Sequence, residues 1–293
     1  MAEVTPLDSN WLRAHPLPLP DGETDKNGRG RVLAIGGCRT VPGGIQLTAE
    51  AALRAGAGKV RVATIAGAAM AVGVAMPEVG IVALAEDPAG EIADAGPAAA
   101  ELDRFDAVVA GPAMADADAA GRLVDALVAG KDTGATLVLD AAALMACASR
   151  AALLRDCPHP LVLTPHIGEM AALLECEAAA VEADRAGCVV RAAERFGAVV
   201  ALKGATTLVA EPGGALHAYA GGGVGLATGG SGDVLAGLAA GLAARGADPL
   251  GATLWAVWLH GEAGRRCAEQ MGPLGFLARE LLAQVPGLMR AAL

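Results

Sequence analysis

Aromatic side chains are scarce in this chain of 293 residues: Phe, Tyr and Trp together make up 2% of it. A core that cannot be built on rings must be built on Ala, Val and Leu, and apolar residues are 54% of the sequence. Charged residues are also thin, at 18%. That balance excludes a disordered chain and calls for a large aliphatic core. The net charge is −10 and no run of Lys or Arg occurs, so nucleic acid is not an expected partner. A phosphate ligand would have to be held by backbone N–H groups and a few local cations, not by a global field.

Other familiar signatures are missing. The six cysteines, at 38, 147, 157, 176, 188 and 267, form no C-x-x-C. Free, mostly buried thiols are expected, not a disulfide framework. The opening "MAEVTPLDSNWLRAHPLPLP" has no basic start followed by an apolar stretch, so no signal peptide is expected. The longest uncharged run, 212–232, is rich in glycine and holds a proline and a histidine. It reads as a loop and not as a membrane helix. A cytoplasmic protein with no membrane partner is the expectation. G-x-x-x-x-G-K-[ST] is absent, because Gly58-Lys59 is followed by Val60, and no G-x-G-x-x-G follows a strand. Neither a P-loop nor a dinucleotide fingerprint is present.

What is there is alternation. Residues 1–30 read as an irregular lead-in. "RVLAIGG" at 31–37 is a continuous apolar run, the pattern of a strand buried on both faces. "GGIQLTAEAALRAGAG" follows as a helix with a glycine stop, and "KVRVAT" at 59–64 as the next strand. Further strands end at Gly111-Pro112, at Asp140, near His166 and at Lys203-Gly204. Helices are read at about 118–128, 168–174 and 181–196. "TTLVAEPGGALHAYA" reads as a β-hairpin at an edge of the sheet. From Gly225 on there are two long helices and room for a third, with Trp255 and Trp258 in one of them. The spacing predicts a single α/β domain, 1–293, with a mostly parallel central sheet and helices on both faces.

In such a sheet, ligands bind outside the carboxyl ends of the strands. Gly36-Gly37, Gly111-Pro112, Asp140, Thr164-Pro165-His166 and the run from Lys203 to Thr207 all fall at such ends. After the last strands comes "ATGGSGDVLAG", with a lone carboxylate, Asp233. A helix that starts at about Ser231 would point its first, unpaired N–H groups and its positive dipole end into a glycine-rich loop, which suits phosphate. Gly230, Ser231 and Gly232 are then the candidate anion hole. Asp233 in the first turn could take a proton from a hydroxyl attacking a phosphoryl group. The competing role is that of an acid stabilising the helix start. His166 is either a ligand contact or a satisfied histidine, and Lys203 either a phosphate contact or a solvated lysine.

Taken together, "GGCRTVPGGIQLTAEAALRAGAGKVRVAT", "LVLTPHIGEMAALL", "ALKGATTLVA" and "TGGSGDVLAG" resemble the ADP-dependent NAD(P)H-hydrate dehydratase family of the ribokinase-like superfamily, over about 26–285. The resemblance implies a ribokinase-like fold. It also implies a repair reaction in which hydrated NADH or NADPH is returned to the reduced cofactor, with ADP or ATP as phosphoryl donor and Mg²⁺ as cofactor. By motif, Gly44, Gly111, His166 and Asp233 would contact the hydrated dinucleotide. Lys203, Gly204, Ala205, Thr206, Thr207 and Gly232 would contact the adenine nucleotide, and Asp233 would be catalytic. The resemblance names no metal ligands. It further implies a homo-oligomer, a tetramer, and a separate epimerase in the same pathway. Three positions depart from the family: Ala113 and Met114 stand where a further glycine and a small or aliphatic residue are usual, and Met76 where His or Arg is common. The competing readings are a ribokinase-like kinase of a thiazole or pyrimidine alcohol, and a nucleotide-binding regulator without catalysis.

Overall fold

The computed structural model describes residues 4–19, 22–130 and 132–292. The strands are β1 (Val4–Pro6), β2 (Arg31–Ile35), β3 (Lys59–Ile65), β4 (Gly80–Leu84), β5 (Ala107–Ala110), β6 (Thr136–Leu139), β7 (Leu161–Leu163), β8 (Val199–Leu202), β9 (Thr206–Ala210) and β10 (Leu216–Ala220). They form one sheet in the order β1-β10-β9-β8-β7-β6-β5-β2-β3-β4. From β4 through β8 every neighbouring pair is parallel, while β9 and β10 form the antiparallel hairpin. Strands β5 to β8 are buried along their whole length. Their uniformly apolar sequences follow from helices covering both sides.

One helical layer holds Gly44–Arg54, Ser231–Ala244, Pro249–Met271 and Ala278–Ala292, packed on one another. Ser231–Ala244 lies deepest, against β2, β5 and β6. Its glycines make this possible. A Cβ on Gly237 would strike Thr48 and Ala51, and one on Gly241 would strike Ala52 and Ala55. The other layer holds Ala117–Val128, Ala142–Cys147, Ile167–Leu173 and Arg185–Phe196.

Four features differ from the expectation. The lead-in is not irregular throughout, since β1 pairs in parallel with β10 and the Ser9–Ala14 helix follows it, its start held by Asp8. The hairpin therefore lies near the sheet edge but not at it. Pro6 suits the outermost strand, where a missing N–H costs no ladder bond. Helix Ala66–Ala75 and β4 were not anticipated. The stretch 181–196 is broken at Asp184, which caps a new helix by accepting from the Gly187 N–H.

Strand succession reverses between β2 and β5, with β3 and β4 on one side and β6 to β8 on the other. A crevice opens at the carboxyl ends of the strands flanking such a reversal. Here Gly36 approaches the Pro112 carbonyl so closely that a Cβ has no room, and the Gly37 N–H donates to that same carbonyl at 3.0 Å.

Candidate functional site

The helix Ser231–Ala244 begins at Gly230, whose φ of +86° is left-handed and whose missing Cβ makes room for Leu47. No side chain caps this helix. Among the described residues nothing takes up the backbone N–H of Gly232 or of Asp233, while that of Ser231 donates to the Thr228 carbonyl at 3.2 Å. The first turn thus presents open donors and the positive end of the helix. The role of Asp233 as a helix cap finds no hydrogen bond to support it.

These groups border a cavity of about 930 Å³ lined among others by Asp140, Glu169, Lys203, Ser231, Gly232 and Asp233. Lys203 follows β8 and is, among the described residues, the one lysine or arginine in the lining. Its Nζ donates to Asp140 Oδ1 at 3.0 Å and lies 3.6 Å from Glu169 Oε2. Asp140 follows β6, is 2% exposed, and also accepts from Thr164 Oγ1 at 2.7 Å. Burial works against the charge on Lys203, but the carboxylates of Asp140, Glu169 and Asp233 outweigh it and hold the amine above its ordinary value. Asp233 shows the opposite balance. Burial, then the negative charge of Asp140, pushes its carboxyl up to about 7, with Lys203 pulling the other way. A carboxyl poised there can act as a base near neutral pH.

The turn after Lys203 is held from below. Arg185 Nη2 donates to the Thr206 carbonyl at 2.7 Å and to those of Leu202 and Lys203 at 3.5 Å each. A Cβ on Gly204 would come within 2.5 Å of that nitrogen, which explains the glycine. Farther along, the wall becomes apolar, with Val224, Leu226, Leu235 and Val257 beside Tyr219. The Tyr219 hydroxyl donates to Glu262 Oε1 at 3.0 Å, and the absent Cβ of Gly261 lets the ring pack against the helix.

His166 caps the helix Ile167–Leu173 in a reciprocal box. Its Nδ1 accepts from the Glu169 N–H at 3.2 Å, and Glu169 Oε2 accepts from the His166 N–H at 2.7 Å. Its Nε2 lies 3.5 Å from Glu169 Oε1, on a side chain that remains 59% exposed. His166, Glu169 and Ala141 also line a second, smaller cavity of about 410 Å³ that includes Met114 and Met145.

Of the residues singled out in the sequence, His166, Lys203, Gly204, Ala205, Thr207, Ser231, Gly232 and Asp233 line the larger cavity. Gly44, Gly111, Thr206 and Gly230 do not. Gly44 lies beside the site all the same, since a Cβ there would be 3.6 Å from Asp233 Oδ2. Gly111 stands behind Asp140, with φ of +106° and no room for a Cβ next to the Asp140 carbonyl. Asp140 was visible only as a strand end. Glu169, Arg185 and His260 were not singled out, because each acts through a partner distant in sequence or through a local cap. Among the described residues no group of three or more His, Cys, Asp or Glu is arranged to hold a metal ion.

Comparison with known proteins gives consistent matches. A profile of the NAD(P)H-hydrate dehydratase family matches residues 32–287. An ADP-dependent (S)-NAD(P)H-hydrate dehydratase of Xanthomonas campestris is 49% identical over 279 residues, 95% of this chain and 93% of its own. A bifunctional NAD(P)H-hydrate repair enzyme of Moorella thermoacetica is 39% identical over 97% of this chain, which spans 53% of that longer protein. The ADP/ATP-dependent NAD(P)H-hydrate dehydratase of Bacillus subtilis, co-crystallised with ATP and Mg²⁺, superposes with a TM-score of 0.85 at 26% identity over 99% of both chains.

Proposed function

The chain belongs to the NAD(P)H-hydrate dehydratase family, and from that membership we propose how its cavity performs the reaction. The activity is nicotinamide-cofactor repair: NADH or NADPH hydrated on the nicotinamide ring is dehydrated back to the reduced cofactor at the expense of an adenine nucleotide. Hydroxide is a poor leaving group, so the ring hydroxyl is first phosphorylated. A phosphorus–oxygen bond forms to the ring oxygen as the bond to the nucleotide breaks. The ring nitrogen lone pair then expels phosphate, and loss of the neighbouring ring proton restores the double bond.

The observation that carries this reading is the meeting of a half-buried carboxyl, pushed up to about 7, with the open N–H groups of a helix start and a lysine, all on one cavity. Asp233 takes the proton of the ring hydroxyl as it attacks. Gly230, Ser231 and Gly232 form the anion cradle that stabilises the transferring phosphoryl group. Lys203, Gly204, Ala205, Thr206 and Thr207, with Gly232, bind the nucleotide phosphates, and the apolar wall accepts the base. Gly44, Gly111, His166 and Asp233 bind the hydrated dinucleotide, entering through the smaller cavity that shares His166 with the larger one.

Mg²⁺ commonly binds through one or two carboxylates plus substrate phosphates. That suits a site where, among the described residues, there is no three-ligand cluster and Asp140 Oδ2, beside Gly232, has no hydrogen-bond partner. Asp140 is the residue that would hold the ion, which would neutralise phosphate charge when bound. ADP is the proposed donor, following the relative from Xanthomonas campestris. A homotetramer is also proposed, supported by the exposed apolar helix Ala66–Ala75, where Met70 is 79% and Val74 75% exposed. Light scattering reads that state. An epimerase is proposed as the pathway partner, in keeping with the bifunctional repair enzyme of Moorella thermoacetica. The proposed location is the cytoplasm, and among the described residues no helix is long and apolar enough to cross a membrane.

The test is regeneration of NADH absorbance when the protein meets hydrated NADH, Mg²⁺ and ADP or ATP. Nucleotide-dependent recovery is expected. No recovery, together with phosphorylation of a thiazole or pyrimidine alcohol, would replace this reading with that of a small-molecule kinase.

A further inference from the structure

His260 lies 29 residues after Ser231 and on a different helix, Pro249–Met271, yet its Nε2 is 2.9 Å from Ser231 Oγ. Both residues line the large cavity. Ser231 is the first residue of its helix and is 5% exposed, and no side chain caps that helix. The hydroxyl therefore has no duty to its own backbone, and its partner in the structure is the imidazole. Next to it stands the open N–H of Gly232, and the Lys203 Nζ lies 3.4 Å from where a Gly232 Cβ would be.

We propose that His260 is a positioning residue that turns the Ser231 hydroxyl into a donor aimed at the anion held by this helix start. A neutral imidazole has one nitrogen that donates and one that accepts. If Nε2 accepted, the serine proton would point away from the cavity and its lone pairs would face a phosphate. If Nε2 donates, the chain runs from His260 to Ser231 to the phosphate oxygen, every proton shared once. A phosphate drawn in by Lys203 and the helix dipole selects the second arrangement. The surroundings keep the ring neutral, as the relay needs: burial pushes His260 down to about 4, the Ser231 backbone opposes this, and the nearby charge of Lys203 adds to it. A doubly protonated ring would simply be one more cation competing with Lys203.

The proposal rests on the nucleotide reading of the cavity, so its test separates the two. Binding of ADP and of adenosine is measured alongside NADH regeneration for His260→Leu, His260→Gln, Ser231→Ala and the pair His260→Leu with Ser231→Ala. Leu keeps the buried volume apolar, and Gln carries an amide nitrogen that can reach Ser231. His260→Leu and Ser231→Ala should each weaken ADP about tenfold or more, the worth of a hydrogen bond to a charged oxygen, and leave adenosine unchanged. The double variant should be no worse than either single one, because both changes break one chain. His260→Gln should recover most of the loss. Equal weakening of ADP and adenosine, or losses that multiply in the double variant, would overturn the relay. If wild type binds ADP with this pattern but regenerates no NADH, the relay stands and the dehydratase reading falls.

Discussion

At Asp233, burial and the charge of Asp140 favour the neutral acid, whereas Lys203 favours the carboxylate. A base works only when deprotonated, so kcat/KM should rise with pH through about 7 and then level off. Asp140→Asn removes the repelling charge and also frees Lys203 from the partner it holds at 3.0 Å. Both changes favour the Asp233 carboxylate. The acid limb of the kcat/KM profile should therefore move to lower pH in the Asp140→Asn variant. A limb that stays in place or moves upward would show that another group governs it. None of this balance could be read along the chain. Asp140, Glu169 and Lys203 are far apart in sequence, and only the parallel succession of β6, β7 and β8 brings their strand ends together.

The turn at 111–114 holds a non-glycine residue in a left-handed conformation. Ala113 has φ of +57°, the left-handed region that favours glycine. Its Cβ fills the space a Gly44 side chain would need, and Asp233 Oδ2 borders that same space. Ala113→Gly relieves a strain of roughly 1–2 kcal/mol, offset in part by the greater freedom of glycine in the unfolded chain. The net expectation is a stabilisation of up to about 1 kcal/mol, read as a Tm increase of about 2 °C for a chain this long. A lowered Tm would mean that the turn is not strained as described. Elements with ordinary signals were legible: Asp116 caps Ala117–Val128 through the Ala119 N–H, and the helix was anticipated at 118–128. Ala66–Ala75 lacked every signal. It is apolar all round, so it carries no period, and Ile65 offers no capping side chain. Asp184 misled for the opposite reason, since a capping acid between two helical runs reads as one polar position of a longer helix.

Across the whole molecule, the sheet's reversal between β2 and β5 gathers glycine-rich strand ends on one side, and the buried Ser231–Ala244 helix brings its open start to the same place. Strand alternation and the glycine loop made that arrangement legible, because both are local patterns. The supports behind it, Arg185 under the 202–206 turn and His260 behind Ser231, depend on which helix faces which and so appeared only in three dimensions. The account stands on the claim that all this machinery serves one proton transfer at Asp233. The most direct test is the rate at which purified, folded Asp233→Asn regenerates NADH from hydrated NADH at saturating ADP and Mg²⁺. Asn preserves size and shape, and no helix cap is lost, because the Asp233 side chain makes none. The account predicts a fall in kcat of about 10²–10⁴, the usual contribution of a positioned base, with ADP still bound. A variant that turns over near the wild-type rate would contradict it.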